Sequence, residues 1–231
     1  MREALTKPVI RTFLAPIRWI NITSLVFFLA SGAINNVRAW MYVAVYVVGG
    51  LIVGVILIKR TPKLLHDRVK MQEGTKQFDK YIILTYFLFA IIITPLIAGI
   101  DQRCNLSATM PFYYLYVGII LYIISAIFST WPMLHNPFFE GAVRIQKDKN
   151  HTLINTGPYR IVRHPGYLGM FLGSVSLPLA LGSVLALIPL FVLIVLIIVR
   201  TYYEDTTLQK ELAVYSEYCK DVRYRLIPFI W

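Results

Sequence analysis

The sequence predicts an all-α, polytopic transmembrane bundle of about six spans, and three observations carry that reading. Of the 231 residues, 57% are hydrophobic and only 15% are charged, where a soluble domain of this length carries about 25% charged residues. The charges are also bunched: stretches 19–37, 39–58, 81–100, 104–139 and 164–199 contain no Asp, Glu, Lys or Arg, and together they exceed half the chain. About 20 apolar residues cross the roughly 30 Å of hydrocarbon in a bilayer. Finally, the basic residues are sorted by loop, as membrane topology requires.

The elements follow in order. Residues 1–18 carry Arg2, Lys7, Arg11 and Arg18 with Leu5, Val9, Phe13 and Ile17 between them, a spacing that suits a basic helix on the membrane surface, broken by Pro8 and Pro16. Span 1 covers about 19–34, and Asn35-Asn36 turns the chain into span 2, about 39–58. A charged loop, 59–80, leads to span 3 at 81–100, and a short polar loop, 101–110, to span 4 at 111–131. The uncharged stretch 164–199 would reach about 54 Å as one helix, too long for a single straight crossing. Leu181-Gly182-Ser183, just after Pro178, is its natural reversal point, which makes span 5 about 166–181 and span 6 about 184–203. The tail 204–222 reads as a continuing amphipathic helix, with Leu208, Leu212, Tyr215, Cys219 and Val222 on one face. Two regions result: 1–135, holding spans 1 to 4, and 136–231, holding the polar motifs, the helical hairpin and the tail.

A formal charge of +11 and a pI of 9.7 can signal nucleic acid, but its distribution signals membrane topology instead. The N-terminus, loop 59–80, segment 132–165 and the tail from Arg200 hold 21 Lys and Arg residues, against Arg38 and Arg103 on the other side. The positive-inside rule then places both termini and the large loops in the cytoplasm, and no nucleic-acid partner is expected. Two cysteines, Cys104 and Cys219, make neither a disulfide framework nor a metal cluster. The first apolar run lacks a small-residue cleavage site and reads as a retained span. The spans lack internal charges, which argues against an ion path.

The polar chemistry is concentrated in 132–167 and 200–225. Pro165 suits the first position of span 5, which puts His164 at the helix cap and Arg163 just outside. A helix N-terminus attracts anions, so this corner is either a carboxylate or phosphate site or a basic flank anchored to lipid headgroups. Arg200 and Glu204 stand at i, i+4. They make either a surface ion pair worth about 0.3–0.5 kcal/mol or, with Asp205, an acidic end facing a cationic ligand. His66, Asp67, Glu73 and Asp79 read as a solvated charged loop.

These residues resemble a known family. The run His151-Thr152-Leu153-Ile154, then Gly157-Pro158-Tyr159, then Arg163-His164-Pro165-Gly166-Tyr167, is similar to the isoprenylcysteine carboxyl methyltransferase and phospholipid methyltransferase superfamily. The pattern continues with Arg200-x-x-x-Glu204-Asp205, Tyr215-x-x-Tyr218 and Arg225-Leu226-Ile227-Pro228, and covers about 136–231, while Asp79-Lys80 before span 3 adds a family-like layout. The resemblance implies a membrane enzyme that transfers a methyl group from S-adenosyl-L-methionine, with a cytoplasm-facing cofactor pocket and 136–231 as its catalytic region. It implies cofactor contacts at His151, Thr152, Leu153, Ile154, Tyr159, Arg163, His164, Pro165, Gly166, Tyr167, Glu204 and Asp205. It also implies catalytic roles for Arg200, on the substrate side, and Glu204. The implied acceptor is a lipophilic or membrane-associated small molecule: an isoprenylcysteine carboxylate, a lipid amine or a thiol. Two positions depart from the pattern: Asp205 replaces a second Glu, and Arg144, with Gln146 nearby, stands where the isoprenylcysteine enzymes carry Gln. The alternatives are an NADPH-dependent membrane enzyme like the sterol reductases, which share the Arg-His-Pro-x-Tyr pattern, and a non-enzymatic membrane scaffold.

Overall fold

The computed structural model describes residues 6–68, 75–144, 146, 151–212 and 214–231; Arg2, Leu5 and Glu73 lie outside them. Most of the described residues are helical, with no strand among them. In chain order the helices are α1 (Lys7–Phe13), α2 (Ala15–Ser31), α3 (Val37–Arg60), α4 (Pro62–Asp67), α5 (Gln77–Cys104), α6 (Tyr113–His135), α7 (Pro165–Leu181), α8 (Leu187–Glu211) and α9 (Tyr215–Asp221). Four of them, α3, α5, α6 and α8, are long and apolar enough to cross a membrane. The other two apolar helices, α2 and α7, have 17 residues each, about 25 Å at 1.5 Å per residue, the short end of the spanning range. The six apolar helices follow the predicted order, and the chain is a polytopic helical bundle.

The helix ends obey local chemistry. Gly32 and Gly182 close α2 and α7 with φ of +67° and +77°, a conformation that glycine adopts without steric cost. Gly182 is thus the reversal expected between spans 5 and 6. Asn36 caps α3 by accepting the Ala39 N–H at 2.9 Å. Pro95 lacks an N–H to donate, and α5 widens into a π turn at Phe89–Ile93 just before it. Arg38 and Arg103, the two basic residues away from the main clusters, pack against Gly182 and Gly32 respectively. Both cations therefore lie at helix C-termini, whose orphan carbonyls carry negative partial charge.

The α6–α7 contact is built from small residues. Gly118 on α6 lies against Ser176 and Ala180, while Gly169 and Gly173 on α7 lie against Ser129 and Ser125. Hydroxyls bridge the same seam: Ser125 donates to the Gly169 carbonyl at 2.7 Å, and Ser176 to that of Gly118 at 2.8 Å. In lipid, where apolar burial does not drive association, close backbone approach and interhelical hydrogen bonds hold helices together.

Three expectations are corrected. Pro8 and Pro16 fall in the first turns of α1 and α2 and start helices rather than break one, because a first turn needs no N–H there. The loop 59–80 is not a uniformly solvated segment, since α4 folds within it and Asp79 is fully buried. The tail is not one continuous helix. The chain leaves helical geometry at Leu212 and resumes at Tyr215. The break folds Tyr215, Tyr218, Cys219 and Val222 onto Tyr159, Leu153 and Ile154, an apolar burial that a straight helix would forgo.

A Cβ at position 118 would stand 2.7 Å from the Ala180 nitrogen and the Ser176 oxygen, both backbone atoms. Gly118→Ala should therefore destabilise the bundle by about 1–3 kcal/mol, read as a lowered unfolding midpoint in detergent; an unchanged midpoint would show that α6 and α7 are not held at this separation.

Candidate active site

A cavity of about 700 Å³ opens where α6 ends, α7 begins and the last turns of α8 pass beneath α9, a volume suited to a small-molecule ligand. One part is walled by the strand-like run 151–154, the start of α7 and the aromatic rings of Tyr159, Tyr215 and Tyr218. The other part is walled by α1, α2 and α5, including Trp19, Ile83, Tyr86 and Phe87, and reaches Met133 and Met170. Arg200 touches both: its guanidinium lies over the Tyr167 ring at 4.8 Å and also meets the Met170 sulfur.

The first wall is assembled on Asp205. This carboxylate is fully buried, and it accepts Nε and Nη2 of Arg163 at 2.8 and 3.0 Å, the Tyr215 hydroxyl at 2.9 Å, Gln209 at 2.9 Å and Arg225 Nε at 2.8 Å. His164 Nε2 lies 3.2 Å away. Arg163 spends its remaining donors on the carbonyls of Val222 and Arg223. Burial works against the Arg163 charge, but Asp205 outweighs it and raises the pKa. Burial, reinforced by Asp205, raises that of the Tyr215 hydroxyl, which remains a donor. The basic pair that opens α7 therefore already has an anion, and that anion comes from α8.

A second buried pair sets Arg200. Its Nε donates to Asp79 Oδ1 at 2.7 Å, and its Nη2 donates to Asp79 Oδ2 at 3.2 Å and to the Gly141 carbonyl at 2.8 Å. The i, i+4 surface pair with Glu204 is thus replaced by a bidentate pair across the bundle with α5. The Tyr167 hydroxyl donates to Glu204 instead, and the Tyr167 ring stacks on His164 with centroids 5.6 Å apart. Glu204 is half-buried on the cavity wall and, among the described residues, has no cation within ion-pair distance.

The loop after α6 contributes a third pair, with Arg144 held bidentately by Glu140. Arg144 lines the cavity, whereas Gln146 is buried behind it and donates to the Phe138 carbonyl. Burial, with the Arg144 charge, lowers the His151 pKa and favours the neutral ring. Arg68, just after α4, donates to the Phe139 carbonyl at 2.8 Å and lies over the Phe139 ring. Burial, followed by the repulsion of Arg200, pushes its pKa down to about 10, so it is still charged at neutral pH.

The structure brings most of the sequence-derived residues to one cavity. His151, Thr152, Leu153, Ile154, Tyr159, Arg163, His164, Pro165, Gly166, Tyr167, Arg200 and Glu204 all border it; Asp205 does not, and lies behind the wall it organises. Asp79 and Arg68 were missed as site residues. The acid at the start of span 3 was legible as a layout feature, but its partner lies 121 positions away, beyond any spacing rule. Arg68 carried no local signal.

Residues 116–210 match the isoprenylcysteine carboxyl methyltransferase (ICMT) family. Two proteins named as probable protein-S-isoprenylcysteine O-methyltransferases, from Oryza sativa subsp. indica and subsp. japonica, are each 31% identical over 119 residues, half of this chain and 61% of theirs. The Delta(14)-sterol reductase TM7SF2 of Mus musculus is 32% identical over 99 residues, 42% of this chain and 24% of that protein. The chain thus aligns with less than two thirds of the length of these relatives. The superfamily resemblance read from the motifs is borne out by the match over 116–210.

Removing one partner of a buried ion pair strands the other charge, at a cost of about 3–5 kcal/mol. Asp79→Ala should destabilise the protein by that amount, and Asp79→Ala with Arg200→Met should recover part of it. A double-mutant cycle of unfolding midpoints checks this; additive losses would mean that the two side chains are not coupled.

Proposed function

We propose that the chain is an integral membrane methyltransferase that uses S-adenosyl-L-methionine and acts on a lipophilic acceptor taken from the bilayer. The observation that carries this reading is Glu204. Asp79, Glu140 and Asp205 are each matched to an arginine, while Glu204 accepts the Tyr167 hydroxyl and, among the described residues, has no cation within ion-pair distance. A carboxylate in a cavity also lined by Tyr159, Tyr167, Tyr215 and Tyr218 suits a ligand with cationic groups, as the cofactor's ammonium and sulfonium are. The residues fit the rest of the cofactor too, since Leu153, Ile154, Tyr159 and Tyr218 form an apolar, aromatic wall suited to its adenine. When bound, the cofactor supplies an electrophilic methyl group. The protein's part is to hold that methyl in line with the acceptor in a pocket sheltered from water.

The second part of the cavity supports a lipophilic acceptor. Trp19, Ile83, Phe87, Met133 and Met170 on its wall suit a hydrocarbon chain, and the guanidiniums of Arg200 and Arg68, with those of Arg11 and Arg18, suit an anionic or electron-rich acceptor group. The names of the rice relatives make a prenylated cysteine carboxylate the first acceptor to try, with lipid amines and small thiols after it. The charge split supports a cytoplasmic cavity and cytoplasmic termini. The mouse match favours a second reading, NADPH-dependent reduction. Against it, Arg163 and His164 at the start of α7 are already bonded to Asp205, and Glu204 would repel a pyrophosphate.

The test is transfer of an isotopically labelled methyl group from S-adenosyl-L-methionine by detergent-purified protein to that acceptor panel. Transfer to one acceptor class supports the proposal, and oxidation of NADPH without methyl transfer would replace it. Glu204→Gln removes a charge-assisted contact worth about 1.5–3 kcal/mol, so S-adenosylhomocysteine binding should weaken about 10- to 150-fold. Arg200→Lys keeps the charge but loses the planar fork, so methyl transfer should fall at least about tenfold. Cofactor affinity should stay near wild type in that variant, and normal turnover would remove Arg200 from the acceptor side.

A further inference from the structure

The chain's last residues, 224–231, close into a tight turn held by its own backbone. The N–H groups of Leu226 and Ile227 donate to the Trp231 carbonyl at 2.9 and 3.2 Å, and those of Ile230 and Trp231 donate to the Ile227 carbonyl at 3.2 and 3.1 Å. The turn holds Phe229 at φ +66°, a left-handed conformation that residues with a side chain rarely adopt. The conformation presents Phe229 and Ile230 outward, 88% and 77% exposed, the two most exposed large apolar side chains among the described residues.

The surroundings of the turn indicate what covers them. Leu226 is buried against Leu168 of α7 and Ile197 of α8, with Ile227 and Trp231 packed on the same cluster. Ile197 belongs to the uncharged stretch and lies about 4.5 Å deeper along α8 than Arg200. The turn therefore lies beside the spanning helices, at the depth where they are apolar. Its flanks are basic and aromatic: Arg223 is exposed, and Arg225 lies over the Trp231 ring at 5.3 Å. Aromatic rings and arginines are the side chains that settle at a membrane–water boundary. Nor is the turn free to swing away, because the Tyr224 carbonyl accepts the Arg163 N–H and the Arg225 carbonyl accepts the His164 N–H, each at 2.9 Å.

We propose that residues 224–231 form a lipid-inserted foot, with Phe229 and Ile230 seated among the acyl chains just below the headgroups of the leaflet on the cavity side. Lipid is the occupant because the turn continues the surface of α7 and α8 at membrane depth and carries cations where anionic headgroups lie. The same turn caps the start of α7, so a foot in the bilayer also steadies the wall built on Asp205. This inference does not depend on the methyltransferase reading.

The test uses the full chain with Cys104→Ser and Cys219→Ser, a nitroxide on Ile230→Cys or, separately, on Phe229→Cys, and nanodiscs of phosphatidylcholine and phosphatidylglycerol. Arg223→Cys serves as the water-facing reference. Labels at 230 and 229 should keep their collisions with oxygen and lose those with a water-soluble nickel chelate, while the label at 223 keeps both. Nickel collisions at 230 and 229 equal to those at 223 would put the turn in water and overturn the proposal. Labels closed to both reagents would mean that a protein surface covers the turn, which overturns it equally.

Discussion

The carboxylate of Asp205 is the point on which the rest of the site depends. A buried charge is tolerated only when it is paired and its remaining lone pairs are satisfied. Here the donors come from four separate places: Arg163 and His164 before α7, Gln209 on α8 itself, Tyr215 on α9, and Arg225 in the final turn. The donors lie from 4 to 42 positions from Asp205. Without that carboxylate the two guanidiniums of Arg163 and Arg225 would lose their anion, and only backbone and apolar contacts would hold these segments together. The fold-back of α9 over the cavity thus combines the Tyr215 contact to this acid with the apolar burial of Tyr215, Tyr218, Cys219 and Val222 on Tyr159, Leu153 and Ile154.

Around that anchor the charges divide into two kinds. Asp205, Asp79 and Glu140 are structural acids, each saturated by an arginine. Glu204 is open to the cavity, and Arg68 has no acid within ion-pair distance among the described residues. Among the described residues the cavity therefore offers the carboxylate of Glu204 near the aromatic wall and, near the apolar limb, the guanidinium of Arg68 together with those of Arg11 and Arg18. A ligand pair of opposite polarity, with a cationic cofactor and an electron-rich acceptor, matches that arrangement. The departure of Asp205 from the superfamily's second glutamate then bears on the scaffold rather than on ligand contact, because Asp205 never reaches the cavity.

The sequence made the bundle legible for a simple reason: charge is excluded from spans, so uncharged stretches mark them. The hairpin at Gly182 was readable because 36 uncharged residues cannot cross once. The cavity residues on 151–167 were readable because they sit together in one motif. Other features follow from contacts between distant segments and leave no local trace. The periodicity of Leu208, Leu212, Tyr215, Cys219 and Val222 was real, yet it marked a face that folds back at Leu212 instead of running on. The pairing of Arg200 overruled its i, i+4 neighbour because a buried bidentate partner was available on α5. Asp79 looked like part of a solvated loop because its burial is created by helices that the loop sequence does not mention.

The central claim is that the wall organised by Asp205 forms a site for an adenosyl cofactor. It is tested most directly by calorimetric titration of purified wild-type protein and of Asp205→Asn with S-adenosylhomocysteine and, in parallel, with NADPH. The account expects saturable S-adenosylhomocysteine binding to wild type, its loss in Asp205→Asn through disordering of the wall, and no NADPH binding to either. NADPH binding to wild type, or S-adenosylhomocysteine affinity unchanged by Asp205→Asn, would contradict it.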